Sequence, residues 1–283
     1  MEWDDLRVFL AVAREGTLGA AARKLGQTQP TMGRRLRALE GAVGQKLFQR
    51  TNDGFVITDE GAAVLNHAER MEEEALALQR QLAGQEQLLD GSLRITSSDW
   101  FGAYVLTPVL AEFSHAHPRV TIELLTDARF LSLSRREADL AFRIQPFEEP
   151  DIASRKLLSM PYGLYTRTGS VHPVAGNGAD VVLVTMDTAF GSMPDVAWLQ
   201  RMLPRAPVAV RSNARLIQAQ MCAQGVGVAV LPRPLGDGFA GLERIELGED
   251  PPSRDTWVGY HHDLRRLGRL RALLDMVFAR LAN

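Results

Sequence analysis

Residues 17–58, TLGAAARKLGQTQPTMGRRLRALEGAVGQKLFQRTNDGFVIT, decide how the first part of the chain folds. LGAAARKL is a short apolar-periodic run preceded by Thr17, a capping residue, and stopped by Gly26. Thr28 is placed to cap a further helix whose second residue is Pro30, where a missing amide proton has no intrahelical acceptor to lose. Helices joined by so short a Gly-containing turn form a helix-turn-helix. Upstream, Leu6, Phe9, Leu10 and Ala13 recur at helical spacing after the capping candidates Asp4 and Asp5, and Gly16 ends that helix. Downstream, past Gly41 and Gly44, Asp53-Gly54 signals a tight turn between two short extended runs, which predicts a hairpin, or wing.

At about 100° per residue, Met32, Leu36 and Leu39 fall on one face of the third helix, while Pro30, Arg34 and Arg37 point the opposite way. The apolar face must pack on the first two helices, which turns the cationic one outward. Gly33 beside it lets the backbone approach a surface closely, and Gln29 can pair bidentately with an adenine edge in a major groove. Arg34, Arg35 and Arg37 alone would read as a solvated face; with the turn before them and the wing after, they predict contact with duplex DNA. Arg50 follows the apolar anchors Leu47 and Phe48 at the wing entrance, which would hold it beside the DNA backbone or minor groove. The expected DNA-contacting set is Thr28, Gln29, Pro30, Thr31, Gly33, Arg34, Arg37, Arg50 and Thr51.

The chain has 283 residues, 46% hydrophobic and 23% charged, a globular composition at a length that favours two or three units of roughly 100 to 150 residues. Charge segregates along it: residues 1–58 carry nine Lys/Arg against six Asp/Glu, 59–90 two against eight, and 91–283 carry 21 against 20. A modestly basic first segment permits binding to a polyanion without requiring it. Cys222 is the single cysteine, so no internal disulfide is possible and nothing points to an oxidising compartment. The opening MEWDDLRVF is acidic where an export signal is basic and then apolar, and no run approaches about 18 uncharged apolar residues. The expectation is a soluble, cytoplasmic protein with no membrane partner.

From Thr58 a long helix is predicted to about Leu89. Val64, Ala68, Met71, Ala75, Leu78 and Leu82 follow a heptad seam, and the other faces are strongly polar. So narrow a stripe asks for a partner helix, and paired DNA readers gain by doubling their half-sites; packing within its own subunit is the plainer alternative. Beyond Gly91 the period changes. LRIT, VTIELL and ADLAFRI read as strands, with a helix over 103–117 stopped by Pro118 and a short helical stretch before the third strand. YGLYTR, DVVLVTM, PVAVRS and VGVAVLP repeat the pattern around a helix over 215–224; LERIEL and TWVGYHH look like further strands, and a helix over 264–281 closes the chain. Strands alternating with helices imply parallel α/β sheets, here as two small lobes with a cleft between them.

The stretch DLRVFLAVAREGTLGAAARKLGQTQPTMGRRLRALEGAVGQKLFQRTNDGFVITDEG resembles the helix-turn-helix of the LysR-type transcriptional regulators, including its Gln29-Pro30 start and its LFQRT wing entry. LTPVLAEFSHAHPRVTIEL, ADLAFRI and GVGVAVLP occupy places where that family has its effector-domain motifs. The resemblance implies a multidomain α plus α/β chain: a winged helix-turn-helix over 1–58, a linker and dimerisation helix over 59–90, and a two-lobed effector domain like the type 2 periplasmic binding proteins over 91–283. Lobe I would take 91–161 and 253–283, lobe II 162–252. A homodimer or homotetramer acting on nearby genes, and a small-molecule effector, are implied with it. By position, Ser97, Ser98, Thr126 and Arg143 in lobe I, with Asn213 and Gly227 in lobe II, look like the family's cleft-lining residues. Asp99 lies beside the loop where relatives often cradle a carboxylate, which makes an anionic effector less expected; Trp100, Phe101 and Trp198 favour a more apolar or aromatic one.

GVGVAVLP lacks the third glycine opening a helix, so no dinucleotide site is expected. His115, His117, His261, His262 and Asp263 fit no common zinc spacing, and neither metal nor cofactor is expected. Cys222 sits in an apolar helix and reads as a structural thiol. No Gly-x-Ser-x-Gly elbow or histidine-containing catalytic constellation occurs, so no enzyme is expected. The rival reading is a two-lobed solute-binding protein whose N-terminal helices make only protein contacts.

Overall fold

The computed structural model describes residues 2–51, 54–82, 89–126 and 131–282, without the side chains of 73, 74 and 76–82. The chain divides into two compact units, Met1–Gln87 and Leu88–Asn283. The first contains α1 (Trp3–Glu15), α2 (Leu18–Leu25), α3 (Gln29–Val43), the strands β1 (Phe48–Thr51) and β2 (Gly54–Ile57), and α4 (Asp59–Leu82). Glu2, not Asp4 or Asp5, caps α1: Glu2 and Asp5 form a reciprocal capping box, and both aspartates lie in the first turn, where the helix dipole favours them. Thr17 caps α2, its hydroxyl accepting the Ala20 N–H at 3.2 Å. Thr28 stands at the cap position of α3, but its hydroxyl pairs with that of Thr31 at 2.9 Å instead of with a backbone amide. α3 runs through Gly41 and ends at Gly44 in the left-handed conformation.

Phe9, Met32, Leu39 and Leu47 lie fully inside this unit, with the rings of Phe9 and Phe48 5.3 Å apart. β1 and β2 pair antiparallel, Phe48 opposite Ile57 and Thr51 opposite Gly54; Asp53 of the expected turn lies outside the described residues. The hairpin is fastened from two sides. Phe55 donates its N–H to the Gly16 carbonyl at 2.8 Å, and the buried Glu40 carboxylate accepts the Leu47 N–H at 3.1 Å and pairs with Lys46 at 2.7 Å. Gly54 has φ of +141°, and a Cβ there would stand 2.4 Å from the Gly16 carbonyl oxygen, so both conformation and space demand glycine.

α4 starts at the Thr58 cap, whose hydroxyl accepts the Gly61 N–H at 2.9 Å. The expected heptad seam is corrected at its beginning. Ala68 is 1% exposed in the core of its own unit, and Val64 packs beside it. Arg14 of α1 pairs with Glu72 of α4 at 2.7 Å, holding the first turns of α4 to the helices before it. Met71 is exposed and Ala75 half-buried; the side chains of Leu78 and Leu82, and residues 83–88 of the expected helix, lie outside the described residues.

The second unit runs β3 (Gly91–Thr96), α5 (Asp99–Phe101), a π-helical turn (Gly102–Leu106), α6 (Thr107–Ala116), β4 (Val120–Leu125), β5 (Leu140–Arg143), β6 (Ile152–Met160), β7 (Tyr162–Arg167) and β8 (Leu183–Thr185). It continues with α7 (Pro194–Met202), β9 (Val208–Arg211), α8 (Arg215–Ala223), β10 (Ala229–Pro232), α9 (Arg233–Gly238), β11 (Leu242–Ile245), β12 (Arg254–His261) and α10 (Gly268–Leu281). One lobe is built on a five-stranded sheet in the order β4-β3-β5-β12-β6. The other has a three-stranded sheet β10-β7-β11, with the β8-β9 pair joined to the start of β10 by a Leu183–Val228 bridge.

The sheets are not all parallel, as the alternation of elements had suggested. β3 is parallel to β4 and β5, but β12 is antiparallel to β5 and β6, and β7 to both of its neighbours. The chain leaves the first lobe after β6 and re-enters it as β12, and a returning strand is free of the crossover rule that aligns successive βαβ strands. The helix expected from residue 103 begins at Asp99 and passes through the π turn, and residues 131–139 make turns where a short helix was expected. β6 and α7 were not anticipated. A bulge where β6 meets Thr256 and Trp257 buries both Leu157 and Leu158, which erases the two-residue period that would have revealed β6. Among the described residues no helix is long and apolar enough to cross a membrane.

A Cβ at Gly61 would stand 2.2 Å from the Leu47 carbonyl oxygen, whereas one at Gly41 would meet nothing within 4 Å. Gly61→Ala is therefore expected to destabilise the first unit by about 1–3 kcal/mol, and Gly41→Ala to stabilise it by up to about 1 kcal/mol. Thermal or urea unfolding of the two variants checks the contrast.

Candidate nucleic-acid interface and effector cleft

With Met32, Leu36 and Leu39 buried, the opposite face of α3 is open: Gln29, Pro30, Arg34 and Arg37 are exposed, as is Thr28, while Thr31 and Gly33 are half-buried. Arg50 and Thr51 of β1 are exposed too. The three arginines separate by role. Arg35 reaches back to Asp4 and Asp5, at 3.3 Å each, and ties α3 to α1. Arg37 donates from Nε to the Gly33 carbonyl at 3.1 Å, which lays its stem along the helix. A Cβ on Gly33 would meet only Leu18, at an ordinary 3.7 Å, so packing within the unit does not require glycine there.

Between the lobes of the second unit lies a cavity of about 110 Å³. Thr96, Ser97, Ser98, Asp99, Trp100 and Phe101 line one side, where β3 turns into α5, with Phe142, Arg143 and Ile144 beside them. Tyr162, Met186, Phe190, Asn213 and Arg215 face them from the other lobe, and Arg254 and Thr256 of the returning strand complete the wall. Arg143 donates to the Leu131 carbonyl at 2.8 Å, pairs with Glu149 at 3.7 Å and stacks on Phe147. Burial pulls its guanidinium pKa down, opposed by Glu149. The Asp99 carboxylate accepts the Trp100 N–H at 2.7 Å.

Behind the wall, Asp195 of α7 is 1% exposed and hydrogen-bonds Arg215, the first residue of α8. Arg215 also donates to Gln218 at 3.0 Å and to the Val230 carbonyl at 2.8 Å, so its fork is well occupied. Arg254 stands 3.6 Å from the same carboxylate and also touches the Met193 sulfur, a weak acceptor. Both guanidiniums lie over the Tyr162 ring, 5.5 and 6.0 Å from its centre. Burial raises the Tyr162 phenol pKa, against the lowering pull of the two arginines.

Of the expected cleft residues, Ser97, Ser98, Asp99, Trp100, Arg143 and Asn213 line one cavity, and Thr126 and Gly227 do not. Thr126 sits past the end of β4 with its methyl against Gly102. Gly227 passes so close to the Val182 carbonyl that a Cβ would stand 2.2 Å from it, so this glycine serves chain packing. Trp198 is buried in the core of the unit and is not part of the cavity wall. Sequence reading missed Arg215, Arg254, Tyr162 and Thr256. A signal for two of them was present: Arg254 and Thr256 alternate with outward residues on β12, polar where an inward strand face is ordinarily apolar.

Two features that spacing argues against have definite surroundings. His261, His262 and Asp263 place ligand-type atoms within 4.8 Å of one another, but the two rings stack at 4.7 Å with 21° between planes, so their in-plane lone pairs run side by side. Asp151 lies 3.3 Å from His261 and Arg136 pairs with Asp263 at 2.7 Å, so these contacts fasten the end of β12. His117 is elsewhere, against the Phe113 ring. Cys222 is fully buried, its one S–H within reach of the Tyr165 and Gly227 carbonyls at 3.2 and 3.1 Å.

Two family models match the two units: residues 3–62 match the bacterial regulatory helix-turn-helix of the lysR family, and residues 86–282 match the LysR substrate binding domain. The chain belongs to the LysR family of transcriptional regulators. It is 31% identical over 259 residues to the Mau operon transcriptional activator of Paracoccus denitrificans, covering 91% of this chain and 89% of that one. GltR of Bacillus subtilis is 29% identical over 240 residues, covering 81% and 79%. The fold matches the structure of CrgA, a LysR-type regulator from Neisseria meningitidis, over the full length of both chains at 22% identity and a TM-score of 0.61. Full-length OxyR from Pseudomonas aeruginosa matches at 19% identity with a TM-score of 0.67, covering 98% of each chain. This LysR-type regulator is thus a transcription regulator with a helix-turn-helix DNA-binding part and an effector-binding part, and the solute-binding rival is set aside.

Burial pushes the Cys222 thiol pKa up to about 12 from an ordinary value of 9.0, which lowers its thiolate fraction at pH 8 roughly a thousandfold. Iodoacetamide is expected to label the folded protein at pH 8 at least about a hundredfold more slowly than the urea-unfolded chain. Equal rates would show an accessible, ionised thiol.

Proposed function

We propose that this regulator reads operator DNA by inserting the exposed face of α3 into the major groove. Thr28, Gln29, Pro30, Thr31, Gly33 and Arg34 meet base edges or close phosphates, and Arg37, Arg50 and Thr51 add backbone contacts. The observation carrying this reading is that Arg34 and Arg37 stand exposed on α3 while Arg35 is spent on α1. Residues 1–58 are the DNA-reading module, 59–90 the pairing helix, and 91–283 the sensor. The chain works in the cytoplasm as a homodimer or homotetramer and catalyses no reaction. Full-length CbnR complexed with its target DNA, 18% identical with a TM-score of 0.61, shares this fold.

The outer part of α4, from Met71 onward, is the pairing surface that remains once Val64 and Ala68 are committed to the core. An effector in the cleft prefers one degree of lobe closure, and by that preference shifts the population of arrangements in which paired α3 helices meet two half-sites.

Arg34→Ala is expected to weaken binding to the intergenic DNA upstream of the gene and to lower the salt slope of log K by about one for each phosphate that a subunit no longer neutralises. Gly33→Ala is expected to weaken binding while leaving thermal stability equal or higher. Fluorescence anisotropy across a salt series checks both, and unchanged affinity and slope in both variants would reject the α3 reading. Leu78→Glu is expected to lower the oligomeric state seen in sedimentation, and an unchanged assembly would reject the pairing role of α4.

A further inference from the structure

The buried wall of the cleft sets two cations against one anion. Arg215 and Arg254, 5% and 8% exposed, face a single buried carboxylate, Asp195. Arg215 takes the close hydrogen bond to it, and Arg254 is left at 3.6 Å, beyond hydrogen-bond reach. Arg143 has its own counter-ion in Glu149. Among the described lining residues Asp99 is the one carboxylate, against three arginines, and it accepts the Trp100 N–H. A guanidinium held out of water without a matching anion is unfavourable, and the imbalance is relieved when an anion arrives.

A second, independent feature lies two residues along the same strand. Thr256 is 2% exposed and lines the cavity, and its hydroxyl has no hydrogen-bond partner among the described residues. An unsatisfied buried hydroxyl beside a guanidinium that shares its carboxylate with Arg215 is a donor pair suited to an acceptor. The rest of the wall is set by Trp100, Phe142, Ile144 and Phe190, which offer flat apolar surface. The cavity, about 110 Å³, is on the scale of those near 150 Å³ that take one benzene ring.

We propose that the effector is a small organic monoanion with a single-ring apolar body, its carboxylate received by Arg254 and Thr256 and its body held between the aromatic walls. The proposal rests on the cleft being the effector site. Arg254 and Thr256 touch the ligand; Asp195 is a positioning residue that orients Arg215 and sets the charge surplus. The expectation against an anion, which Asp99 suggests in the sequence, is reversed because Asp99 is only half-buried and screened by water, whereas Arg215 and Arg254 are buried, share one carboxylate and meet only in the fold.

The test uses the full-length protein with three matched probes: benzoate, its neutral counterpart benzamide, and the cation benzylamine. Benzoate is expected to raise Tm with rising concentration and to bind in isothermal titration at least about tenfold more tightly than benzamide, which lacks the charge that strengthens the hydrogen bonds to Arg254; benzylamine is expected not to bind. Arg254→Gln is expected to weaken benzoate at least about tenfold while leaving the Tm of the ligand-free protein unlowered, because the remaining Arg215–Asp195 pair is balanced. A purely structural arginine would instead lower that Tm. Thr256→Val, which keeps shape, is expected to weaken benzoate without unfolding the lobe. The proposal is overturned if benzamide or benzylamine binds as well as benzoate, if Arg254→Gln retains wild-type affinity, or if benzoate at about 20 mM, near saturation for a 1 mM Kd, gives no response. Anisotropy with upstream DNA on the same samples separates the two readings. DNA binding that persists without an anion response sinks the ligand class alone, whereas absent DNA binding sinks the regulator reading whatever benzoate does.

Discussion

The clamp on the inner face of α3 is the constraint on which the rest depends. Met32, Leu36 and Leu39 are buried against the helices before them, each contributing roughly 1.5–3 kcal/mol by leaving water. Arg35 adds a polar lashing to Asp4 and Asp5. Together these fix the rotation of α3 about its axis, and that rotation alone decides that Arg34 and Arg37 face outward. The wing obeys the same logic. Glu40 at the end of α3 holds its first strand, and the Gly16 carbonyl holds its second, so Arg50 is set by the same core that sets Arg34.

In the second unit the controlling fact is electrical. Asp195 sits at the meeting of α7, α8 and β12 and brings two arginines from distant parts of the chain to one wall. Hydrophobic packing alone would fill such a place with leucine or methionine at less risk, since a buried ion pair is weak support for stability. A charge cluster left partly unmatched beside an open cavity is better understood as a site than as a strut. β12 makes this possible: by returning to the first lobe's sheet after the second lobe is complete, it carries Arg254 and Thr256 to the seam between them.

The first unit was legible because its signals are local. A three-to-four-residue apolar period, Thr17, Gly26 and Pro30 at element ends, and short strands around Gly54 each act over a few residues. The second unit was legible where a strand alternates, as over most of Val120–Leu125, or forms a short buried run, as in Tyr162–Arg167, and opaque where geometry came from afar. The bulge against β12 hid β6, and the antiparallel return of β12 could not be read from a period at all. Ala68 belonged to a heptad and to a core at once, and only packing shows that the core claims it. The cleft was half visible: Ser97 to Trp100 are contiguous, whereas Arg215, Arg254 and Asp195 meet only through the fold. Gly227 misled because a glycine serving close chain approach looks, in sequence, like one serving a ligand.

Dimethyl sulfate footprinting of the full-length protein on its upstream DNA tests most directly whether α3 reads the major groove, because the reagent methylates guanine N7 on that groove's floor. Protected guanines are expected in two patches separated by whole helical turns of about 10 base pairs. Stable retention of the DNA with every guanine N7 still reactive would contradict a major-groove role for α3.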